Sequence, residues 1–192
     1  MRVPKIFLAS QSPRRRELLH QLGVAFEVID VDVPEVRATG EPPADYVSRV
    51  AREKAGAGLL QRVGVADALV IGADTEVVLG DEVFGKPRDG DDAAAMLRRL
   101  SGRTHRAMSA VWCVSAGREE HALCDTAVEF APLDDAAIAA YVASGEAFGK
   151  AGAYAIQGRA AAFVRRIEGS HSCVMGLPLF EMAWLLDRYR AI

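Results

Sequence analysis

The spacing of apolar residues changes along the chain between the period of a strand and the period of a helix. The apolar segment 3–9, VPKIFLA, predicts a first strand, and the alternating segment 25–33, AFEVIDVDV, predicts a second. A helix is predicted between them, with Ser12 as its N-cap and Gly23 at its end. Apolar residues at helical spacing predict a longer helix from Ala44 to Arg62.

The central segment 67–87, DALVIGADTEVVLGDEVFGKP, predicts a buried strand, a polar corner at Asp74 and Thr75, and a hairpin that turns at Gly80 and Asp81. The pattern then predicts a helix at 91–100, strands at 103–116 and 121–133, a helix at 134–145, strand material at 153–167 and a final helix after Pro178. Strands and helices are interleaved, but hairpins interrupt the order. The predicted fold class is therefore α/β, with a mixed sheet and flanking helices.

Length and composition limit the kind of protein. A chain of 192 residues suits one domain or two closely joined lobes. Its formal net charge of -3 offers no bulk attraction to nucleic acid or to an anionic membrane, so neither is expected as a partner. The N-terminal apolar run is too short for a signal peptide and no segment approaches ~20 apolar residues, so a cytoplasmic location is expected.

The odd number of cysteines (Cys113, Cys124 and Cys173) and the absence of a CxxC motif predict buried thiols.

Three consecutive arginines, Arg14 to Arg16, lie in the first turn of the first predicted helix. Cations are unfavourable there, because the helix dipole and the free backbone N–H groups already make this end positive. An anion such as a triphosphate would reverse that cost, since guanidinium groups, N–H groups and the hydroxyls of Ser10 and Ser12 would converge on it. A solvated arginine face is the alternative.

Asp74 follows the apolar run ALVIGA, at what is predicted to be the carboxyl end of a strand, where α/β sheets place their ligands. A carboxylate there can hold a divalent metal and accept a proton from water, and Thr75 adds a hydroxyl. Glu35, in the loop after the second strand, is a candidate second carboxylate for the metal. A turn-capping aspartate and an exposed glutamate are the alternatives.

The stretch GDEVFGKP, residues 80–87, has the glycine spacing and the lysine of a phosphate-binding P-loop. Pro87 stands where that loop needs Ser or Thr, and the segment is predicted to return from a hairpin, so a true P-loop is excluded. Lys86 remains a candidate positioned charge, and so does Lys54 within the long helix. Gln157, predicted to end a short strand, can read the edge of a base. A surface lysine or a backbone-bonded amide is the alternative for each.

Six segments of the sequence, taken together, identify a protein family more specifically than any one of the motifs above. The sequence resembles the Maf family of nucleoside triphosphate pyrophosphatases from Ile6 to about Leu186, in the blocks LASQSPRRRELL, YVSRVAREKA, GADTEVVLGDEVFGKP, MLRRLSGRTH, EAFGKAGAYAIQG and IEGSHSCVMGLPL. This resemblance implies a single Maf-like domain over residues 1–192, with a Maf/HAM1-like fold of two lobes around a central cleft. It also implies a homodimer that cleaves a nucleoside triphosphate between the α- and β-phosphates with Mg²⁺ or Mn²⁺.

The resemblance also implies roles for individual residues. Asp74 matches the proposed general base, and Glu35 matches an acid near the metal. The phosphate-facing groups of the family match Ser10, Arg14, Arg15, Lys54 and Lys86. Arg14, Thr75 and Gln157 form a combination similar to the subgroup that hydrolyses dTTP and UTP. The subgroup acting on 7-methyl-GTP instead carries Trp and Glu at the first two of these positions.

Small departures from the family pattern concern the base pocket. His171 and Cys173 stand where Tyr and Asn or Gly are common, and Ala160 stands where Gly is common. Two alternatives to the pyrophosphatase remain. One is a nucleotide-binding regulator of cell division or septum formation with incidental hydrolysis, and the other is a phosphatase that releases inorganic phosphate.

Overall fold

The computed structural model describes residues 3–192, and these form a seven-stranded mixed sheet flanked by helices. The strand order is β2-β1-β3-β5-β6-β7, with β4 also paired to β3. β1 is parallel to β2 and β3, and the other pairs are antiparallel. The strands are β1 (Lys5–Ala9), β2 (Phe26–Ile29), β3 (Ala68–Leu79), β4 (Glu82–Phe84), β5 (Thr104–Ser115), β6 (Arg118–Phe130) and β7 (Val164–Glu168).

The helices lie mostly where the sequence pattern predicts them. α1 begins after Ser12, whose hydroxyl accepts a hydrogen bond from the Arg15 N–H, and the chain leaves it through Gly23 at φ +71°. The helices are α1 (Pro13–Gln21), α2 (Pro43–Leu60), α3 (Gly90–Leu100), α4 (Asp135–Ala143), α5 (His171–Met175) and α6 (Leu179–Arg188), with 3₁₀ turns at Ala151–Ala153 and Arg159–Phe163. The predicted mixed α/β fold is confirmed. No helix within residues 3–192 is long and apolar enough to cross a membrane.

Helix α2 covers one face of the sheet and lies unusually close to β3. The even-numbered residues of β3 point towards it, and small side chains permit the approach. A Cβ added to Gly72 would come within 2.2 Å of the Ala51 carbonyl oxygen and 2.8 Å of the Ala55 Cβ. This contact brings the side chains of α2 directly over the middle of β3.

The opposite face of the sheet carries two separate hydrophobic clusters. The first packs α1 and α6 on the sheet and includes Leu18, Ala73 and Leu185. The second packs α3 and α4 on the sheet and includes Val77 and Leu97. Since alternate residues of a strand share a face, the residue between the clusters on this face of β3 is number 75. The two clusters form the walls of a cleft.

The edge of β3 is interrupted beside that cleft. β1 pairs with β3 as far as Gly72, and β4 begins to pair at Val77, while β5 follows the other edge from Val70 to Val78. Between them, residues 73–76 have no strand beside them on this edge in the part of the chain that the structure describes. A ligand can therefore reach side chains on both faces of β3 from one opening.

Two predictions for this region are wrong. Asp74 and Thr75 do not form a corner, because β3 runs unbroken through them and is held along its length by β5. The segment 153–163 is not strand, because it folds into 3₁₀ turns in which Arg159 N–H bonds to the Glu146 carboxylate. Gln157 therefore lies in a turn, and α5 is a helix that the pattern did not predict.

The smaller expectations have mixed outcomes. The hairpin turning at Gly80 and Asp81 is confirmed by the pairing of Leu79 with Glu82. The three cysteines are buried free thiols, as predicted. The hairpin of β5 and β6 turns tightly at 116–117, so residues 118–120, which lie between the two predicted strands, belong to β6.

Candidate active site

A cavity of about 830 Å³ opens at the interrupted edge of β3, between the two hydrophobic clusters. It contains every residue that the sequence singled out for the site, although these come from six separate segments of the chain. They are Ser10, Arg14, Arg15, Glu35, Lys54, Asp74, Thr75, Lys86 and Gln157. The fold thus brings the predicted residues together, while their individual roles stay predictions.

A chain of ion pairs crosses the cavity on the α2 side of β3. Lys54 Nζ lies 2.6 Å from Glu35 Oε1 and 2.8 Å from Asp74 Oδ1. Lys86 Nζ lies 2.7 Å from Glu35 Oε2. Lys54 and Asp74 are only 9% and 4% exposed, so this pair is held in a largely water-excluded part of the cavity.

The lysines keep Glu35 ionised. Partial burial alone would raise the pKa of Glu35, but hydrogen bonds from Lys54 and Lys86, together with their charges, hold that pKa at about 2. Both carboxylate oxygens of Glu35 are engaged by lysines. Glu35 therefore positions two ammonium groups, that of Lys54 inside the cavity and that of Lys86 nearer the solvent.

Glu76 is a residue of the cavity that the sequence prediction missed. It lies two residues after Asp74 on β3 and is 6% exposed. Burial, together with the charges of Asp74 and Glu35, raises the pKa of Glu76 to about 8. The signal was present in the D-x-E spacing, since residues two apart on a strand point to the same side.

The donor atoms of this region suit a divalent cation. Among residues 3–192, Asp74 Oδ2 and Glu76 Oε2 are buried without a hydrogen-bond partner. Buried oxygens of this kind are costly unless something binds them, and carboxylate oxygens are the ligands that Mg²⁺ and Mn²⁺ prefer. The described residues contain no group of three His, Cys, Asp or Glu able to hold a metal, but Mg²⁺ commonly uses one or two carboxylates with substrate phosphates.

Arg15 links the other face of β3 to the surrounding elements. Its Nε donates to the Gly176 carbonyl at 2.8 Å, its Nη2 to Thr75 Oγ1 at 3.1 Å, and its Nη1 to Ser10 Oγ at 3.4 Å. Thr75 Oγ1 also lies 2.8 Å from Ser109 Oγ. Arg15 and Thr75 are therefore parts of one polar network that joins α1, β3 and α5.

The far side of the cavity carries two further cationic side chains. Arg14 lines it, and burial lowers the pKa of its guanidinium. Lys150, which the sequence prediction missed, also lines it, and burial followed by the nearby Arg14 charge lowers its pKa. Its position in FGKAG, between glycines, was the available signal. Two cations held close together indicate a place for an anion, and Gln157 lies exposed at the same wall.

Comparison with known proteins gives consistent results. A family model described as "Maf-like protein" matches residues 5–189. A Xanthomonas euvesicatoria protein named dTTP/UTP pyrophosphatase is 58% identical over 97% of this chain and 99% of its own length. A Cupriavidus pinatubonensis protein of the same name is 54% identical over 96% of both chains. Among solved structures, a Vibrio cholerae protein aligns with 64% of this chain and 62% of its own at 13% identity and a TM-score of 0.37, which is too low to support an argument.

The family match spans almost all of the described residues, and relatives at more than half identity cover nearly the whole chain. All residues that line the cavity fall within the matched range. The chain belongs to the Maf family.

Proposed function

We propose that this protein is a nucleoside triphosphate pyrophosphatase that hydrolyses dTTP and UTP, or modified pyrimidine nucleotides, to the monophosphate and pyrophosphate. The observation that carries the proposal is a single cavity holding buried carboxylates, Asp74 and Glu76, beside five cationic side chains, in a chain whose relatives bear that activity as their name. The five cationic side chains are Arg14, Arg15, Lys54, Lys86 and Lys150.

The residues divide the chemistry between them. Asp74 accepts a proton from water while the water oxygen forms a bond to the α-phosphorus, and the bond from that phosphorus to the bridging oxygen breaks. The pyrophosphate group leaves with the electron pair of that bond. Lys54 and Lys86 offset its charge, and Glu35 keeps both ammonium groups in place.

A divalent cation, Mg²⁺ or Mn²⁺, fits this site and would be held by Asp74 with Glu35, as the family resemblance implies. When bound, it would withdraw charge from the phosphate oxygens. The oxygen-only donor set and the unpartnered Asp74 Oδ2 within the described chain support this assignment.

Base selection is proposed for the wall formed by Arg14, Thr75 and Gln157. Thr75 acts through Arg15, whose guanidinium it holds together with Ser10. The Gln157 amide is exposed at the wall of the cavity and can pair with the carbonyl and N–H groups of a pyrimidine. The base would therefore lie against this wall of the cavity.

A nucleotide panel with product identification tests the proposal. With Mg²⁺ or Mn²⁺, dTTP and UTP should give monophosphate and pyrophosphate faster than ATP or GTP, and a chelator should stop the reaction. Asp74→Asn should fold and lose at least about a hundredfold in turnover, the usual contribution of a general base. Tight dTTP binding without pyrophosphate release would favour the regulator, and release of inorganic phosphate would indicate a phosphatase.

The remaining expectations belong to the same proposal. A single Maf-like domain over residues 1–192, a cytoplasmic location and a homodimer follow from the resemblance and the composition. Light scattering coupled to size-exclusion chromatography measures the subunit number directly, and a monomer at micromolar concentration would contradict the dimer.

A further inference from the structure

The buried carboxylate of Glu76 has one oxygen without a hydrogen-bond partner among the described residues. Glu76 is 6% exposed, and its Oε2 makes no hydrogen bond to any residue of the described range. A buried carboxylate oxygen without a hydrogen-bond partner is unfavourable, and native proteins seldom retain one without compensation.

Three cationic side chains beside this part of β3 already bond to other groups. Lys54 bonds to Glu35 and Asp74, and Lys86 bonds to Glu35. Arg15 lies on the opposite face of β3 and donates to Ser10, Thr75 and Gly176. None of these hydrogen bonds reaches Glu76, so a cation bound from outside the chain can satisfy its free oxygen.

Asp74 presents a second oxygen of the same kind beside Glu76. Its Oδ1 accepts from Lys54, while its Oδ2 is buried and unpartnered within residues 3–192. The two side chains lie two residues apart on one unbroken strand, so they project to the same side and line the same cavity. Glu35 differs from this pair, because each of its oxygens already accepts a bond from a lysine.

We infer that Glu76 is a further ligand of the divalent cation and binds it together with Asp74. This inference rests on the proposed function and assigns Glu76, in place of Glu35, as the second carboxylate of the metal. Two carboxylates leave the remaining positions of Mg²⁺ or Mn²⁺ to water and to phosphate oxygens, which is the usual arrangement when the substrate shares the metal. Glu35 then serves mainly to orient Lys54 and Lys86.

Mn²⁺ binding, followed by electron paramagnetic resonance, tests this without measuring activity. The titration uses Mn²⁺ alone and Mn²⁺ with a non-hydrolysable dTTP analogue. Glu76→Gln should weaken Mn²⁺ binding at least about tenfold in whichever condition the wild type binds it, since even outer ligands of metal sites contribute that much. Glu76→Asp, which keeps a carboxylate on a shorter side chain, should recover part of the affinity.

Glu27→Gln is the matched control, because it removes the same charge from an exposed position on β2 outside the cavity, and its Mn²⁺ affinity should equal that of the wild type. Urea unfolding in chelator verifies that each variant folds. Mn²⁺ affinity of Glu76→Gln within about twofold of wild type, or no Mn²⁺ binding by the wild type in either condition, overturns the inference.

Failure of the inference is distinguishable from failure of the proposed function. If the wild type releases pyrophosphate from dTTP while Glu76→Gln binds Mn²⁺ normally, only the role of Glu76 is lost. If Glu76→Gln loses Mn²⁺ affinity while no nucleotide is cleaved by the wild type, the metal site stands and the proposed reaction falls.

Discussion

Two lysines share one carboxylate in the cavity but occupy different surroundings. The side chain of Lys54 is 11% exposed and pairs with both Glu35 and Asp74, while that of Lys86 is 57% exposed and pairs with Glu35 alone. Buried pairs are expensive to break because the remaining charge stays out of water, whereas exposed pairs contribute little. Residues with similar proposed roles therefore differ in what they contribute to stability.

Lys54→Met should lower the free energy of unfolding by about 3 to 5 kcal/mol, because it leaves Asp74 buried without its cation. Lys86→Met, the matched control, should lower it by less than about 1 kcal/mol. Urea unfolding at pH 7 measures both, and adding Asp74→Asn to Lys54→Met should recover part of the loss. Equal and small effects of the two methionine variants would contradict a larger contribution to stability from the buried pair.

At the scale of elements, the approach of α2 to β3 sets the position of the ion pairs. Gly72 and Asp74 point to the same side of β3, and the contact of Gly72 with Ala51 and Ala55 brings Lys54 over Asp74. The neighbours of Gly72 are backbone and short side chains, which cannot move aside as a flexible side chain can.

Gly72→Ala should destabilise the protein by about 1 to 3 kcal/mol or more, because the new Cβ would lie 2.2 Å from the Ala51 carbonyl oxygen and 2.6 Å from the Ala55 nitrogen. Gly56→Ala lies in helix α2, where nothing is within 4 Å of the added Cβ, and it should stabilise the protein by about 0.5 to 1 kcal/mol. Thermal unfolding compares the two. The same sign of change for both would refute a tight contact between α2 and β3.

At the scale of the whole molecule, a histidine buried against the second hydrophobic cluster makes the stability of the protein fall at acid pH. His105 is 1% exposed, its Nε2 lies 2.9 Å from the Tyr154 hydroxyl, and its ring packs edge-on against Phe130. Burial lowers the pKa of His105 to about 4 from an ordinary value of 6.5. Between pH 6.5 and about 4, the unfolded chain therefore binds a proton at His105 that the folded protein does not bind.

Protonation of His105 in the unfolded state should reduce stability as the pH falls from 6.5 towards 4, by on the order of 3 kcal/mol, and should have no effect above that window. His105→Gln should abolish this loss of stability at low pH, while His20→Gln, which removes an exposed imidazole, should keep it. The difference from wild type isolates His105, because Glu35 and Glu76 titrate alike in all three proteins. Urea midpoints at pH 7.0 and 5.0 measure it, and parallel pH profiles of wild type and His105→Gln would contradict it.

Much of the site could be predicted from residues whose local sequence is distinctive. The N-cap at Ser12, the arginines after it, the hairpin carrying Lys86 and the aspartate within an apolar run each have a local signature, and the family blocks join them. Glu76 and Lys150 were missed because a carboxylate in a strand and a lysine between glycines are ordinary in sequence and become informative only when burial is known.

The sequence by itself determined the mixed α/β class, the family, most helices and strands, and the set of candidate residues, because periodicity, caps and turns act over a few neighbours. Only the tertiary structure decided that β3 continues through Asp74 and that its edge lies open at 73–76, because pairing with β1, β4 and β5 is set by distant segments. It likewise decided which charges neutralise each other and which buried oxygens remain free for a cation, since those depend on distances that no local pattern encodes.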